Sequence, residues 1–151
     1  MTPTNRSVIA LRLTADSILD TFFTLTLDGK VGLTRQRIER VQRSLGECIE
    51  AEAERILESH SLRALAAERE REPQGAAARV VHADDLLYLL TCYLEERWAA
   101  IGAQDRRVQL RIVDELVGHI LARRLVDKDA YICVLLDLRG DIDRAQRAVQ
   151  A

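Results

Sequence analysis

The sequence has few residues that interrupt helices. Of its 151 residues only two are proline, Pro3 and Pro73, and no long stretch alternates apolar with polar side chains. Proline is the strongest helix breaker, and half-buried strands would show a period-two alternation. Both scarcities favour a mostly helical chain.

An excess of charge of one sign and long apolar runs are also lacking. The chain has 22 basic and 24 acidic residues and a formal net charge of −2. This balance excludes a basic nucleic-acid-binding tail, an acidic tail and a chain disordered by its own charge. No apolar run approaches the roughly 18 residues that a membrane span needs, and no secretory apolar segment begins the sequence. We therefore expect a soluble cytoplasmic protein that does not associate with membranes.

Cysteine is scarce and unpaired in sequence. Cys48, Cys92 and Cys133 are far apart, and no C-x-x-C motif is present. Each lies within an apolar helical pattern, so we expect three buried thiols in a reducing compartment.

Apolar residues recur at spacings of three and four along most of the chain, which is typical of amphipathic helices. The spacing predicts helices over 14–27, 34–59 and 62–72, from Asp84 or Asp85 to Ile101, over 106–125, from Asp127 to Gly140, and after Asp141. Thr34 and Asp105 are the expected N-caps. The side chains expected to face the core from the first helix are Ile18, Leu19, Phe22, Phe23 and Leu25. The predicted fold is all-α, with six or seven helices in antiparallel hairpins forming an irregular bundle or a HEAT-like stack.

The clearest break is Glu72-Pro73-Gln74-Gly75, followed by three alanines. It predicts a mobile loop over 73–82 between an N-terminal helical hairpin and a C-terminal helical block. Since each part alone is small for an independent core, we expect a single domain over 1–151.

Motifs that carry chemistry are missing. The sequence has no G-x-S-x-G, no G-x-x-x-x-G-K-[ST] and no G-x-G-x-x-G, and its histidines (His60, His82, His119) match no metal-binding spacing. Glu115 and His119 are four apart and would share a helix face, where they could form a simple pair or, with groups from another helix, hold a metal. We expect no enzymatic activity, no cofactor and no bound metal.

The predicted helix 34–59 has the most informative charge pattern. Four arginines stand against Glu39 in its first part, and five glutamates stand against Arg55 in its second part. This order opposes the helix macrodipole, which favours acids at the N-terminus and bases at the C-terminus. A solvated face tolerates such an order, but an antiparallel second copy would align basic with acidic segments twice, as a two-fold interface requires.

The charge pattern therefore predicts an interaction surface on this helix. Its candidate residues are Arg35, Arg37, Arg40, Arg43, Glu47, Glu50 and Glu54. The predicted function is a non-catalytic protein–protein interaction or regulatory domain that binds a protein partner or itself, as a homodimer.

A DNA-binding transcriptional regulator is the alternative. Gly32-Leu33-Thr34-Arg35-Gln36-Arg37-Ile38 resembles the turn and recognition-helix start of the sigma-factor region that reads the −35 promoter element. The resemblance implies that Thr34 contacts phosphate while Arg35 and Arg37 reach base edges. Residues 27–30 interrupt the helix that such a motif needs before its turn, and the acidic second half of the helix would be repelled by DNA.

A second resemblance covers about half of the chain. The segments Ile112-Val113-Asp114-Glu115-Leu116, Leu125-Val126-Asp127-Lys128-Asp129 and Leu135-Leu136-Asp137-Leu138-Arg139-Gly140-Asp141-Ile142 are similar to the closing region of an uncharacterised bacterial family of HEAT-like helical proteins. Residues 38–54 resemble the family's early helix pair. Asp143-Arg144 departs from the aromatic residues usual there. The resemblance implies an all-α fold and no particular activity.

Overall fold

The computed structural model of the chain describes residues 13–150. Within this range lie seven α-helices and one short 3-10 helix, at Glu96–Trp98, and no β-strand. The α-helices are α1 (Ala15–Leu27), α2 (Gly32–Ile56), α3 (Ser59–Arg71), α4 (Ala76–Val80), α5 (Ala83–Tyr93), α6 (Ala103–Ala122) and α7 (Ile132–Gln150). The all-α prediction is confirmed, and the choice between an irregular bundle and a HEAT-like stack stays a prediction.

Helix α2 lies at the centre of the packing, against α4, α5 and α6. The spacing predicts an apolar stripe that ends at Ile56. Its members Ile38, Val41, Leu45, Cys48 and Ile49 are buried, and Ile56 is half-buried against the core. The spacing by threes and fours places these side chains on one face of the helix, where removal from water stabilises the fold by about 25 cal/mol per Å² of apolar surface. The charged residues of α2 other than Glu52, which is buried, consequently lie on its other faces.

The rest of the core comes mainly from α5, α6, α7 and the aromatic pair of α1. Leu86, Leu87, Leu89, Leu90 and Tyr93 are fully buried, so α5 is apolar on most faces, as its sequence predicts. Of the five residues of α1 predicted to face the core, Ile18, Phe22 and Phe23 are buried and Leu19 is half-buried against the core, whereas the prediction is wrong at Leu25. Phe22 and Phe23 are buried with their rings edge to face and 5.1 Å between centroids, whereas Leu25 is 57% exposed. Leu25 instead lies on the solvent-exposed face of α1.

The segment predicted as a mobile loop, 73–82, contains helix α4. Ala76 and Ala77 are fully buried, and the Ala77 backbone N–H donates to Glu50 Oε2 of α2 at 2.9 Å. Alanine has the highest helix propensity and is small enough to pack closely against α2. The loop prediction is wrong here because the three alanines, which carry no amphipathic pattern, are stabilised by contacts that sequence periodicity does not reveal.

Glu68 of α3 is bound by two arginines, Arg71 of the same helix and Arg79 of α4. Arg71 donates to its carboxylate from Nε at 3.0 Å and from Nη2, and Arg79 donates from Nε at 2.8 Å. The hydrogen bonds from Arg71, and then those from Arg79, lower the pKa of Glu68 from 4.5 to about 2. In the folded state this carboxylate therefore stays charged at pH values at which it is protonated in the unfolded chain.

The lowered pKa predicts a pH-dependent contribution to stability. Because the folded pKa is depressed, the stabilisation from Glu68 is complete above about pH 4.5 and is lost as the pH falls towards 2. We expect the stability difference between the wild type and Glu68→Gln to shrink over this window in urea unfolding measured at successive pH values. The control is Glu70→Gln, an exposed position of the same helix. A difference that stays constant between pH 5 and pH 2 would contradict the prediction.

The C-terminal residues form one helix where two are predicted. Helix α7 continues through Gly140 and Asp141 to Gln150. Its buried residues, Val134, Leu135, Leu138 and Ile142, keep a spacing of three and four across the glycine. An interior glycine costs a helix only about 1 kcal/mol relative to alanine, less than the burial of this stripe returns. Gly140 is thus an interior residue and not the C′ residue, and Asp141 caps no helix.

Gly140→Ala is expected to stabilise the protein by about 0.5–1 kcal/mol. A Cβ at this position would meet only the guanidinium end of Arg144, at 3.4 Å, which can move. The matched control is Gly29→Ala, where a Cβ meets nothing within 4 Å but φ is +73°. There the left-handed backbone disfavours a side chain, and we expect a loss of about 1 kcal/mol. Thermal and urea unfolding measure both; equal effects of the two substitutions would refute this account of Gly140.

Several predicted helix ends are displaced. Helix α2 begins at Gly32, two residues before the expected cap Thr34, because the Val31 carbonyl already accepts the Arg35 N–H. The helix predicted to reach Ile101 ends at Tyr93, and α6 starts at Ala103 after Gly102, so Asp105 lies inside its first turn. Residues 94–102 therefore form a bent segment beside α2.

The prediction for the cysteines is confirmed at two positions of three. Cys48 and Cys92 are buried, and burial is the main reason why the pKa of the Cys48 thiol rises to about 12. Cys133 is exposed, since the apolar stripe of α7 passes through its neighbours Val134 and Leu135.

Candidate functional site

The four arginines at the start of α2 differ in their surroundings. Arg35 donates to the Leu27 carbonyl at 3.3 Å and lies 3.6 Å from Glu39, so it closes the α1–α2 connection. Arg37 and Arg40 both point towards Asp105 of α6. Arg40 Nη2 donates to Asp105 Oδ1 at 3.1 Å, and Arg37 Nε lies 3.4 Å from the same oxygen without making a hydrogen bond. One carboxylate is therefore shared by two guanidinium groups.

Arg43 is the least engaged of the four. It is exposed, and the described part of the chain supplies neither an ion pair nor a hydrogen bond to its guanidinium group. Glu47, one turn further along α2, is exposed and in the same situation. These two side chains remain available to a group from outside the chain.

Arg37, Arg40, Arg43 and Glu47 line one groove of about 560 Å³. Val41 and Ser44 of α2 line the same wall, the bent segment from Arg97 to Ile101 forms the opposite wall, and Tyr93, Asp105 and Gln109 complete the lining. Tyr93 is fully buried, and its hydroxyl is hydrogen-bonded to Ser44 at 2.5 Å. The groove thus combines a basic wall with a wall that carries Trp98, Ala99, Ala100 and Ile101.

The wall opposite α2 is fixed by the buried side chain of Gln109. Its amide nitrogen donates to the Trp98 carbonyl at 2.8 Å, and its Oε1 accepts the Ala100 N–H at 2.8 Å and Arg106 Nη1 at 2.8 Å. These hydrogen bonds satisfy backbone groups that a helix would otherwise pair within itself. They hold the backbone at Trp98 and Ala100 in the bent segment, outside the helix predicted there.

The groove has an excess of positive charge. Four arginines and two carboxylates line it. Arg97 is also bound to carboxylates outside the groove lining: its Nη2 lies 2.6 Å from Glu52, and its Nε lies 3.7 Å from Glu95. Of the other three arginines, Arg37 and Arg40 have only Asp105 between them. The arrangement suits a ligand that carries more than one negative charge.

The acidic half of the predicted surface is used mainly inside the fold. Glu50 Oε1 accepts Arg69 Nε at 3.0 Å, and Glu50 Oε2 accepts the Ala77 N–H. Glu54 is hydrogen-bonded to Arg69 Nη1. Both glutamates therefore connect α2 to α3, and Glu50 also connects it to α4. The structure brings Arg37, Arg40, Arg43 and Glu47 together at the groove and places Glu50 and Glu54 apart from it.

Sequence reasoning missed a buried carboxylate on α2. Glu52 is only 3% exposed and binds Arg55 Nη1 at 2.5 Å as well as Arg97. The hydrogen bond from Arg55 is the main reason why the pKa of Glu52 is lowered. Its spacing of four from Cys48 and three from Ile49 places Glu52 on the buried stripe, and this spacing predicts its burial. Trp98, Ile101 and Gln109 were missed as site residues because only the fold brings them opposite α2.

Glu115 and His119 do not act together in the structure. Glu115 lies 3.7 Å from Arg111, while the His119 ring packs edge-on against Phe22 with 5.5 Å between centroids. Burial and then nearby Arg123 lower the pKa of His119. Among residues 13–150 no group of three or more His, Cys, Asp or Glu side chains is arranged to hold a metal ion.

Comparisons with protein-family models, curated proteins and solved structures gave no significant match to this chain. The resemblances to the sigma-factor region and to the HEAT-like family therefore stay predictions. Within the described range, every helix is too short or too polar to cross a membrane.

Proposed function

We propose that this chain is a non-catalytic protein–protein interaction domain that docks its partner at the basic half of α2. The observation that supports the proposal is the groove in which Arg37 and Arg40 share Asp105 while Arg43 is left exposed. Ile101, at the rim, is 95% exposed. Arginine and exposed apolar side chains next to a defined cleft are characteristic of protein interfaces.

A photo-crosslinking amino acid at position 43, used in cells, tests this proposal. We expect protein adducts of defined mass from position 43 and none from position 63, an exposed arginine of α3 without an ion pair in the described part of the chain. Mass spectrometry then identifies the protein. The absence of protein adducts at position 43 would overturn the proposal.

Self-association is the homodimer form of the same proposal. Pairing along the whole of α2 would bring Glu50 and Glu54 of one copy against the arginines of the other, although both glutamates are bonded to Arg69 of their own chain. Glu47 is the acidic side chain left free for this role. Sedimentation equilibrium at low salt tests the form directly: a monomer at high micromolar concentration excludes it, and an Arg43→Glu variant that dissociates a dimer supports it.

DNA binding is the second candidate, and one observation favours it. Helix α1 ends at Leu27, directly before the turn that leads into α2, so a helix does precede the turn as a helix-turn-helix requires. Against it, Arg35 and Arg37 are engaged with Glu39 and Asp105. A salt-dependent gel shift with Arg35→Ala/Arg37→Ala separates the candidates, since a shift that the substitutions leave unchanged, or no shift at all, removes the DNA candidate.

A further inference from the structure

We infer that the groove between α2 and residues 97–101 binds an acidic segment of a partner protein that also carries an aliphatic side chain. This inference rests on the proposed function and adds the chemistry of the partner. It is carried by two features of the groove, the charge of one wall and the apolar character of the other.

The acidic character follows from the arginines. Arg40 is 47% exposed at its side chain, and Arg37 and Arg40 divide one carboxylate between them. A guanidinium group can donate to two carboxylates at once, so each has donors left after its contact with Asp105. Arg43 has all its donors free. Two or three carboxylates spaced along a peptide would therefore find partners on consecutive turns of α2.

The aliphatic character follows from the opposite wall. Ile101 is almost fully exposed, and Trp98, Ala99 and Ala100 lie beside it in the groove. Gln109 holds the backbone of Trp98 and Ala100, so this wall is preorganised rather than formed on binding. A leucine or isoleucine lying against Ile101 and Trp98 would remove apolar surface on both sides from water.

The charge distribution favours another protein over two alternative occupants. A second copy of α2 would offer mainly Glu47, since Glu50 and Glu54 are bonded within the chain. Nucleic acid would supply phosphates but no aliphatic side chain for Ile101. An acidic peptide with apolar residues matches both walls.

The test uses Trp98, the single tryptophan of the chain, as the reporter. The full-length protein is titrated with a blocked peptide of repeating Glu-Glu-Leu at low salt, and tryptophan emission is followed. We expect a saturable change that weakens at least tenfold for repeating Gln-Gln-Leu and several-fold for repeating Glu-Glu-Ala. High salt should weaken binding of the acidic peptide as well.

Matched variants locate the binding. Arg43→Glu should weaken binding of the Glu-Glu-Leu peptide at least tenfold, because it removes free donors and adds repulsion without breaking an internal contact. Arg63→Glu, the same change on α3, should leave it within twofold. Ile101→Ser should weaken binding of the Glu-Glu-Leu peptide and leave binding of the Glu-Glu-Ala peptide unchanged. Circular dichroism of each variant establishes that it is folded.

Several outcomes would overturn the inference: no saturable change with any peptide, equal binding of the Gln-Gln-Leu peptide, equal loss with Arg43→Glu and Arg63→Glu, or tighter binding of a DNA duplex than of the acidic peptide. Protein adducts at position 43 without acidic-peptide binding would leave the proposed function standing and remove only this inference. Peptide binding without cellular adducts would remove the proposed function, and with it the partner inferred here, and would leave only an affinity of the groove for acidic peptides.

Discussion

Phe23→Ala is expected to lower the free energy of unfolding by about 3–5 kcal/mol. Phe23 is 1% exposed, and its ring packs edge to face against Phe22 with an interplanar angle of 80°. The substitution removes buried apolar surface, leaves a cavity that the surrounding helices close only in part, and abolishes the aromatic contact. Since a domain of this size is stable by about 5–15 kcal/mol in total, urea unfolding should show a much lower midpoint.

Leu25→Ala is the matched control for Phe23→Ala. It lies two residues further along α1 but is 57% exposed, so we expect a change within about 0.5 kcal/mol. Phe23→Leu, which keeps most of the buried side chain, should fall between the two. A loss for Leu25→Ala as large as that for Phe23→Ala would mean that the packing of α1 described above is wrong.

Gln109→Met is expected to cost about 2–3 kcal/mol and to alter the environment of Trp98. Methionine has a similar volume but neither accepts the Ala100 N–H nor donates to the Trp98 carbonyl. A buried backbone group left without a partner costs about 1–3 kcal/mol. Loosening of the wall opposite α2 should change the emission of Trp98 even in the absence of any ligand.

The control for Gln109→Met is Gln104→Met on the same helix. Gln104 is exposed, so the substitution should change the unfolding free energy by less than about 0.5 kcal/mol and leave Trp98 emission unchanged. Gln109→Met should in addition weaken binding of the acidic peptide, because a wall that must be ordered on binding reduces affinity. Unchanged stability and emission in Gln109→Met would show that Gln109 does not fix the bent segment.

The helices could be predicted where burial and periodicity agree. The stripe from Ile38 to Ile49 defines the inner face of α2 by spacing alone, because a helix turns once every 3.6 residues. The same spacing continues through Gly140, and it outweighed a residue that by itself signals a helix end. Glycine, which breaks helices locally, does not end α7 at position 140, whereas the three alanines of α4 form a helix through high propensity that periodicity does not reveal.

The groove was predictable on one side only. The charge order of α2 drew attention to Arg37, Arg40 and Arg43, and the structure places these side chains at the groove. Their counterparts, Asp105, Trp98 and Ile101, are more than fifty residues away in the sequence. No local pattern relates them to α2, since their positions depend on how α6 packs against it.

The sequence by itself determined the all-α class, the inner face of α2 and the arginine-rich start of that helix, because each depends on residues close together along the chain. The tertiary structure decided which charges are free. Arg69 and the Ala77 N–H bind Glu50, while Arg43 and Glu47 are left exposed. An ion pair between helices depends on distances that only packing sets, and the energy of a charge depends on the partners and the water around it.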